Sequence, residues 1–298
     1  MARKFSNLPK LNRKALTGYL FILPLISILA IFVLIPVGAS LVLSFYKWDI
    51  ISSPRFVGLQ NYVRLVGQDL FWISLKNTLT YTVAVVAIGL VLALSLALLL
   101  NETWLRGKTF FRTVYFIPVI TSMVVTSMIW SWLYSPMYGI LNYILKILGL
   151  PMQKWLSDPK LAMICIILMT IWKFLGYHTI IFLAGLQGIP EQMYEAAMLD
   201  GSNWWQRFRY ITLPLLKPTT FFITVMAIIG SFQVFDQVYI MTKGGPLYST
   251  TVLVVYLYNN AFRYFRMGFG CAIAWVLFGI IFIVTLVQLR LFRELIEY

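Results

Sequence analysis

Charge is scarce in this sequence. Only 11% of its 298 residues are Asp, Glu, Lys or Arg, against about 25% in an ordinary soluble domain. A fold that meets water on every side would have too little polar surface to cover itself. Cysteine and histidine are also nearly absent. Cys165 and Cys271 both lie inside apolar runs, and His178 is the single histidine. Two such cysteines cannot build a secreted disulfide framework, and one His without a Cys cluster offers no ligand set for a catalytic metal. His178 has no nucleophile or acid companion at a recognisable spacing, so hydrolytic chemistry has little to stand on. Apolar surface is what the chain has in excess: 60% of residues are hydrophobic, with 22 Phe, 17 Tyr and 10 Trp, and the mean hydropathy is +0.83. Lipid is the solvent that suits this composition. The net charge of +14 is spread singly between apolar segments and forms no stripe. That pattern fits phospholipid headgroups and argues against nucleic acid.

A bilayer core about 30 Å thick takes about 20 apolar residues of helix. Stretches of that length with at most one charged residue run approximately over 18–45, 77–100, 113–134, 161–186, 219–242 and 268–289. They are too long for barrel strands and show no strict alternation. The expectation is an all-α membrane protein with six transmembrane helices, preceded by a basic tail over residues 1–17. The first stretch follows Arg3, Lys4, Lys10, Arg13 and Lys14 and lacks a small-residue cleavage site, so it reads as an uncleaved anchor. An even number of spans puts both termini on one side. The basic tail and the modest bias of Lys and Arg place that side in the cytoplasm. Amphipathic stretches over 59–75 and 140–148 read as helices in the interface plane. Gly89, Ala93 and Ala97 recur every fourth residue, a face that lets another helix come close.

The longest connection assigned to the cytoplasm, residues 187–218, carries the most information. Pro190, Glu191 and Glu195 suit the start of a helix. Asp200-Gly201 forces a turn, Ser202 can cap a second short helix, and Pro214 and Pro218 limit it. The product is a helix-turn-helix on the cytoplasmic face. Elsewhere Gly107-Lys108-Thr109 looks like the end of a phosphate-binding loop, but Glu102 stands where that motif needs Gly, so the chain has no ATP site of its own.

Glu195-Ala196-Ala197, then Asp200-Gly201, then Ile211, Leu213 and Pro214 resemble the EAA loop of permease subunits in binding-protein-dependent ABC importers. The flanking LAGLQGIP from Leu183 looks like the carbohydrate-uptake branch. FVGLQNYVRL from Phe56, LRGKTFFRTVYFIP from Leu105 and MTKGGPLYSTT from Met241 extend the likeness to the MalF-like group over nearly the whole chain. Ser202 replaces the family's usual Ala after Asp-Gly. The resemblance implies a type I importer permease fold over residues 18–298 and a transport subunit at the cytoplasmic (inner) membrane, not an enzyme. It further implies a homologous second permease and two separate ATP-binding subunits. Those subunits would hold ATP and Mg, and this chain would bind no cofactor. A solute-binding protein outside would deliver a sugar. In the loop, Glu195 would dock or cap in the ATPase groove, Ala196 and Ala197 would permit close approach, and Gly201 would fix the turn.

Transporter sites tend to lie near the midplane, and charged residues inside spans are costly, about 2.5–3.5 kcal/mol for a Lys on insertion scales. Lys173 and Asp236 are the two such groups, and they read either as pathway residues or as a structural pair between neighbouring helices. Gly176, His178 and Thr179 in the fourth span, and Ser231, Gln233 and Gln237 in the fifth, complete the candidate pathway. Apart from Gly176 they supply the hydrogen-bonding groups that hold sugars. By similarity, Gly176 and Ser231 fall in the family's translocation pathway. Lys173 keeps glycerol phosphate open as an alternative cargo. An ion-coupled secondary transporter would need repeats or paired ionisable groups at depth, and it leaves the loop unexplained.

Overall fold

The computed structural model describes residues 13–102 and 104–293. Most of the expected basic tail, residues 1–12, lies outside the described residues. Among them, five helices are long and apolar enough to cross a membrane, and a sharply bent pair makes a sixth span when counted as one. The only strands described are Tyr46–Lys47 and Arg55–Phe56, a two-residue antiparallel ladder.

The first span, Thr17–Ser44, has a mean hydropathy of 3.0 over its most apolar window, none of which is buried against the rest of the chain. It contains a π turn at Ala30–Leu34, where the Ile35 N–H reaches back to the Ala30 carbonyl. This widening comes just before Pro36. Proline has no N–H to give to the preceding turn and its ring crowds that turn's carbonyl, so an extra residue there relieves the clash. The pattern recurs at Phe208–Thr212, where the Leu213 N–H reaches Phe208 just before Pro214. Past the first span, Asn61 Nδ2 donates to the carbonyls of Ser44 (2.8 Å) and Tyr46 (3.0 Å), closing the helix end. In the turn of the small ladder Asp49 accepts from the hydroxyl and N–H of Ser52 and from the Ile51 N–H. These bonds, the Ser52 hydroxyl first, hold its carboxyl below the usual range.

The expected interface helix over 59–75 is divided. Gln60–Val66 is a separate short helix, and the rest belongs to the second span, Asp69–Asn101. Gly67 and Gln68 break the two apart, with Gln68 extended before Asp69 opens the new helix. The second span packs along the fourth, Ala162–Gln187. Ala93 and Ala97 are fully buried there in one cluster with Phe182, Leu183 and Leu186. The small-residue face therefore serves close packing, where dispersion and shape replace the hydrophobic effect that lipid cannot supply.

The third span is not the continuous helix expected over 113–134. It consists of Lys108–Ile120 and Met123–Leu133, bent by 99°. Thr121 and Ser122 are extended between them. In the loop that follows, Ile140–Ile147 forms the predicted short helix. Its buried Asn142 joins Pro136, Gln153 and Trp155, accepting from the Trp155 indole at 2.8 Å.

The fifth span is also interrupted. Lys217–Phe232 ends at Gln233, and Asp236–Met241 starts after three non-helical residues. The loop after it is tied by Thr242, Thr250 and Thr251 to the Gly244-Gly245 backbone. Asn77 of the second span holds the same loop through the Tyr248 and Thr251 carbonyls. Leu253–Tyr258 then leads to the last span, Met267–Arg293.

Candidate translocation cavity and coupling loop

The broken fifth span forms one wall of a cavity of about 710 Å³. Ala227, Gly230, Ser231 and Gln233 to Gln237 come from the break and the turns beside it; Thr170, Phe174, Tyr177 and His178 come from the fourth span. Tyr81 and Val85 of the second span and Met123 at the bend of the third complete it, with Met226. A helix that stops inside a membrane exposes backbone groups that need partners, and such breaks are tolerated where they line a cavity. The break follows Gly230 and Ser231, and it turns Gln233, Phe235 and Asp236 to the cavity wall.

The polar frame of the wall is a buried relay. Gln237 Nε2 donates to the Tyr81 hydroxyl at 2.8 Å, and Tyr81 donates to Thr170 Oγ1 at 3.0 Å. Thr170 in turn donates to the Ile166 carbonyl. Three spans are thereby locked together at the cavity. Aromatic faces stand beside this frame: Phe174 stacks on His178, Tyr177 meets the same ring edge-on, and Phe235 stacks on Tyr239. The arrangement offers hydroxyl, amide and carboxylate groups next to flat apolar faces.

Five of the predicted pathway residues are brought together here: His178, Ser231, Gln233, Asp236 and Gln237. Three are placed elsewhere. Lys173 is 3% exposed. Its Nζ donates to the carbonyls of Pro118 (2.9 Å) and Thr121 (2.7 Å) and to Thr121 Oγ1 (3.2 Å). Of the two readings left open for Lys173, the pair with Asp236 is not formed, since its partners are Pro118 and Thr121. The ammonium instead caps the end of Lys108–Ile120, where unpaired carbonyls and the negative end of the helix dipole call for a cation. Gly176 packs against the same helix, and a Cβ added to it would lie 1.9 Å from the Tyr115 carbonyl oxygen. Thr179 is buried and donates to the Leu175 carbonyl. Sequence reasoning missed Tyr81, Thr170, Phe174, Tyr177 and Phe235. The one signal available was a tyrosine deep in a lipid-soluble helix, whose hydroxyl needs a partner.

The connection between the fourth and fifth spans is a helical hairpin. Glu191–Leu199 ends in a Schellman motif: Ser202 N–H donates to Ala197 and Gly201 N–H to Met198. Gly201 has φ +77°, which a residue with a Cβ adopts only at a cost. The cap of the second helix is Asn203, not Ser202. Asn203 and Gln206 form a reciprocal capping box before Trp204–Arg207. Asn203 lies one residue further on, because Ser202 is already used as the last residue of the preceding motif. Tyr194 and Thr212 share a hydrogen bond of 3.0 Å that holds the two arms together. Glu195, Ala196, Asp200, Gly201 and Leu213 are exposed, and Ala197 and Pro214 are half-buried. Met198 and Leu199 at the tip, and Trp204 and Trp205 after it, leave large apolar surfaces uncovered.

These features define a class: a polytopic α-helical permease, with a cavity at a broken span and an exposed hairpin on the connection that feeds that span. Residues 89–297 match the binding-protein-dependent transport system inner membrane components, and the chain belongs to that family. It is 36% identical over 286 residues to the trehalose/maltose transport system permease protein MalF of Thermococcus litoralis, covering 94% of this chain and 95% of the relative. It is 37% identical over 282 residues to the lactose transport system permease protein LacF of Rhizobium radiobacter, covering 93% and 94%. A chain in the crystal structure of a bacterial alginate ABC transporter, in complex with alginate pentasaccharide-bound periplasmic protein, superimposes with a TM-score of 0.87. The identity there is 25%, and the match covers 98% of this chain and 99% of that one. The fold is the type I permease fold. The protein is a membrane transport subunit of an ABC importer that works with a solute-binding protein, and it is not an enzyme.

Proposed function

We propose that this chain forms half of the path by which a sugar crosses the cytoplasmic membrane. A solute-binding protein hands the sugar over outside, and two ATPase subunits holding ATP and Mg drive the cycle with a second, homologous permease. Residues 18–298 make up the permease, and both termini lie in the cytoplasm. Residues 187–218 dock on one ATPase through Glu195, Ala196, Ala197, Asp200 and Gly201, with Leu213 and Pro214 at the base.

One observation carries this reading. The hairpin ends where the helix Lys217–Phe232 begins, and that helix ends in the cavity wall. Its 16 residues span about 24 Å at 1.5 Å each. A push on the hairpin is therefore delivered to Ser231 and Gln233 by a single stiff element, the kind of rigid transmission that a two-state pair of permeases requires. The cavity supplies hydroxyl, amide and carboxylate groups beside aromatic faces, the lining that saccharides need. Glycerol phosphate loses the support that Lys173 lent it, because that ammonium is engaged by Pro118 and Thr121.

The test is ATP hydrolysis by the complete complex in lipid, with the binding protein empty or loaded from a panel of sugars and glycerol phosphate. One loaded sugar should stimulate hydrolysis. Glu195→Ala and Gly201→Asp should lose most of the stimulation while the complex still assembles. Solute flux that follows an ion gradient without ATPase subunits would overturn the reading.

A further inference from the structure

We propose that the cavity of this chain selects uncharged, hydroxyl-rich saccharides and rejects anionic ones such as uronates, sulfonates and phosphate esters. The inference rests on the cavity being the sugar path described above. A shared fold does not set the sign of the cargo's charge, and the lining does. Among the described residues, Asp236 is the only Asp, Glu, Lys or Arg that lines the cavity. An anion entering it meets a carboxylate and no cation.

The chain has one buried cation in its spans among the described residues, and it is not available. Lys173 has three N–H donors, and the Pro118 carbonyl and the carbonyl and hydroxyl of Thr121 take them. It does not line the cavity. The backbone brings both signs to the break: the helix Asp236–Met241 starts there with a positive partial charge, and Asp236 itself sits in that first turn. The helix Lys217–Phe232 points its C-terminal end at the cavity through Gly230 and Ser231, and the last turn of a helix carries partial negative charge. His178 is the one histidine in the wall, and an imidazole is neutral at a pH well above about 6.5, so the test is run at about pH 8.

For a neutral sugar the same features are attractive. Sugar hydroxyls donate to a carboxylate in charge-assisted hydrogen bonds, and the Tyr81–Gln237 relay presents a fixed polar edge. The faces of Phe174 and Phe235 lie beside it for the C–H side of a pyranose. At an effective dielectric of about 20, a second negative charge about 8 to 10 Å from Asp236 is disfavoured by about tenfold or more.

The experiment has two arms. Cells carrying the complete importer, and matched cells lacking this chain, are given neutral oligosaccharides and their C6-uronate counterparts, and accumulated sugars are identified by mass spectrometry. The purified complex in lipid nanodiscs, without binding protein, is then titrated by saturation-transfer NMR with the neutral sugar that accumulates and with its C6-uronate form. Wild type should bind the uronate at least about tenfold more weakly, and Asp236→Asn should bring the two within about threefold. Equal binding of the two by wild type, uronate uptake matching the neutral sugar, or a ratio unmoved in Asp236→Asn would each overturn the inference and leave sugar import standing. If no saccharide accumulates at all, the importer reading fails, and this inference fails with it.

Discussion

At the scale of single residues, the two charges inside the spans have separate employments. Lys173 is an architectural group: it satisfies the carbonyls freed where Lys108–Ile120 stops at Thr121. Removing it leaves buried acceptors without a donor, a loss of about 1–3 kcal/mol. Lys173→Met should therefore lower the unfolding temperature of the complex in nanodiscs by several degrees, and Asp236→Asn should leave it within about a degree. Equal losses from the two, rescued by exchanging the residues, would show that they form a pair after all. Gly176 is placed by the same contact. Its Cα faces the Tyr115 carbonyl so closely that a methyl group has nowhere to go, and backbone cannot step aside as a flexible side chain can. Gly176→Ala should cost about 1–3 kcal/mol, read as lower yield and lower thermal stability. Uptake per folded complex should hardly change, because the residue does not line the cavity.

At the scale of elements, the hairpin is held by local signals that depend on a few side chains. Asn203 and Gln206 satisfy one another's backbone N–H groups, a cap whose loss costs about 1 kcal/mol. Asn203→Ala should loosen the second arm, so that sugar-stimulated ATP hydrolysis falls while basal hydrolysis and assembly hold. Unchanged stimulation would show that the second arm does not transmit. This hairpin was legible in the sequence down to the turn at Asp200-Gly201, because helix starts, left-handed glycines and prolines are written within a few neighbouring residues. The breaks in the third and fifth spans were not. Thr121-Ser122 and Gln233 to Phe235 sit in stretches that stay apolar on average, and hydropathy records composition, not hydrogen bonding. What stabilises the first break is Lys173, 52 residues away, and the Tyr81–Gln237 bond beside the second joins groups 156 residues apart. Partners that distant leave no periodic mark. The same reasoning explains why Ser231, Gln233 and Asp236 stand out as polar residues in a span, while nothing in the sequence distinguishes Phe174 and Tyr177 from other aromatics of the spans.

At the scale of the whole molecule, the proposed mechanism requires that the hairpin and the Gly244-Gly245-Pro246 loop face opposite sides of the membrane. They flank the fifth span at its two ends, one before Lys217 and the other after Met241. If the helix between them is the lever, the ATPase pushes from inside and the binding protein meets the chain outside. Two exposed leucines report on this directly: Leu199 at the hairpin tip is 89% exposed and Leu247 in the opposite loop is 86% exposed. The native cysteines will interfere little, since Cys165 and Cys271 are both buried and burial makes a thiol inert to bulky reagents. In intact cells stripped of any outer barrier, a membrane-impermeant maleimide should label Leu247→Cys and spare Leu199→Cys. After permeabilisation both should react. Labelling of Leu199→Cys from outside would invert the chain, place the termini on the outer side and separate the hairpin from any cytoplasmic ATPase. Protection of Leu199→Cys in permeabilised membranes when the ATPase subunits are present, and its labelling when they are absent, would locate their docking surface on residues 187–218.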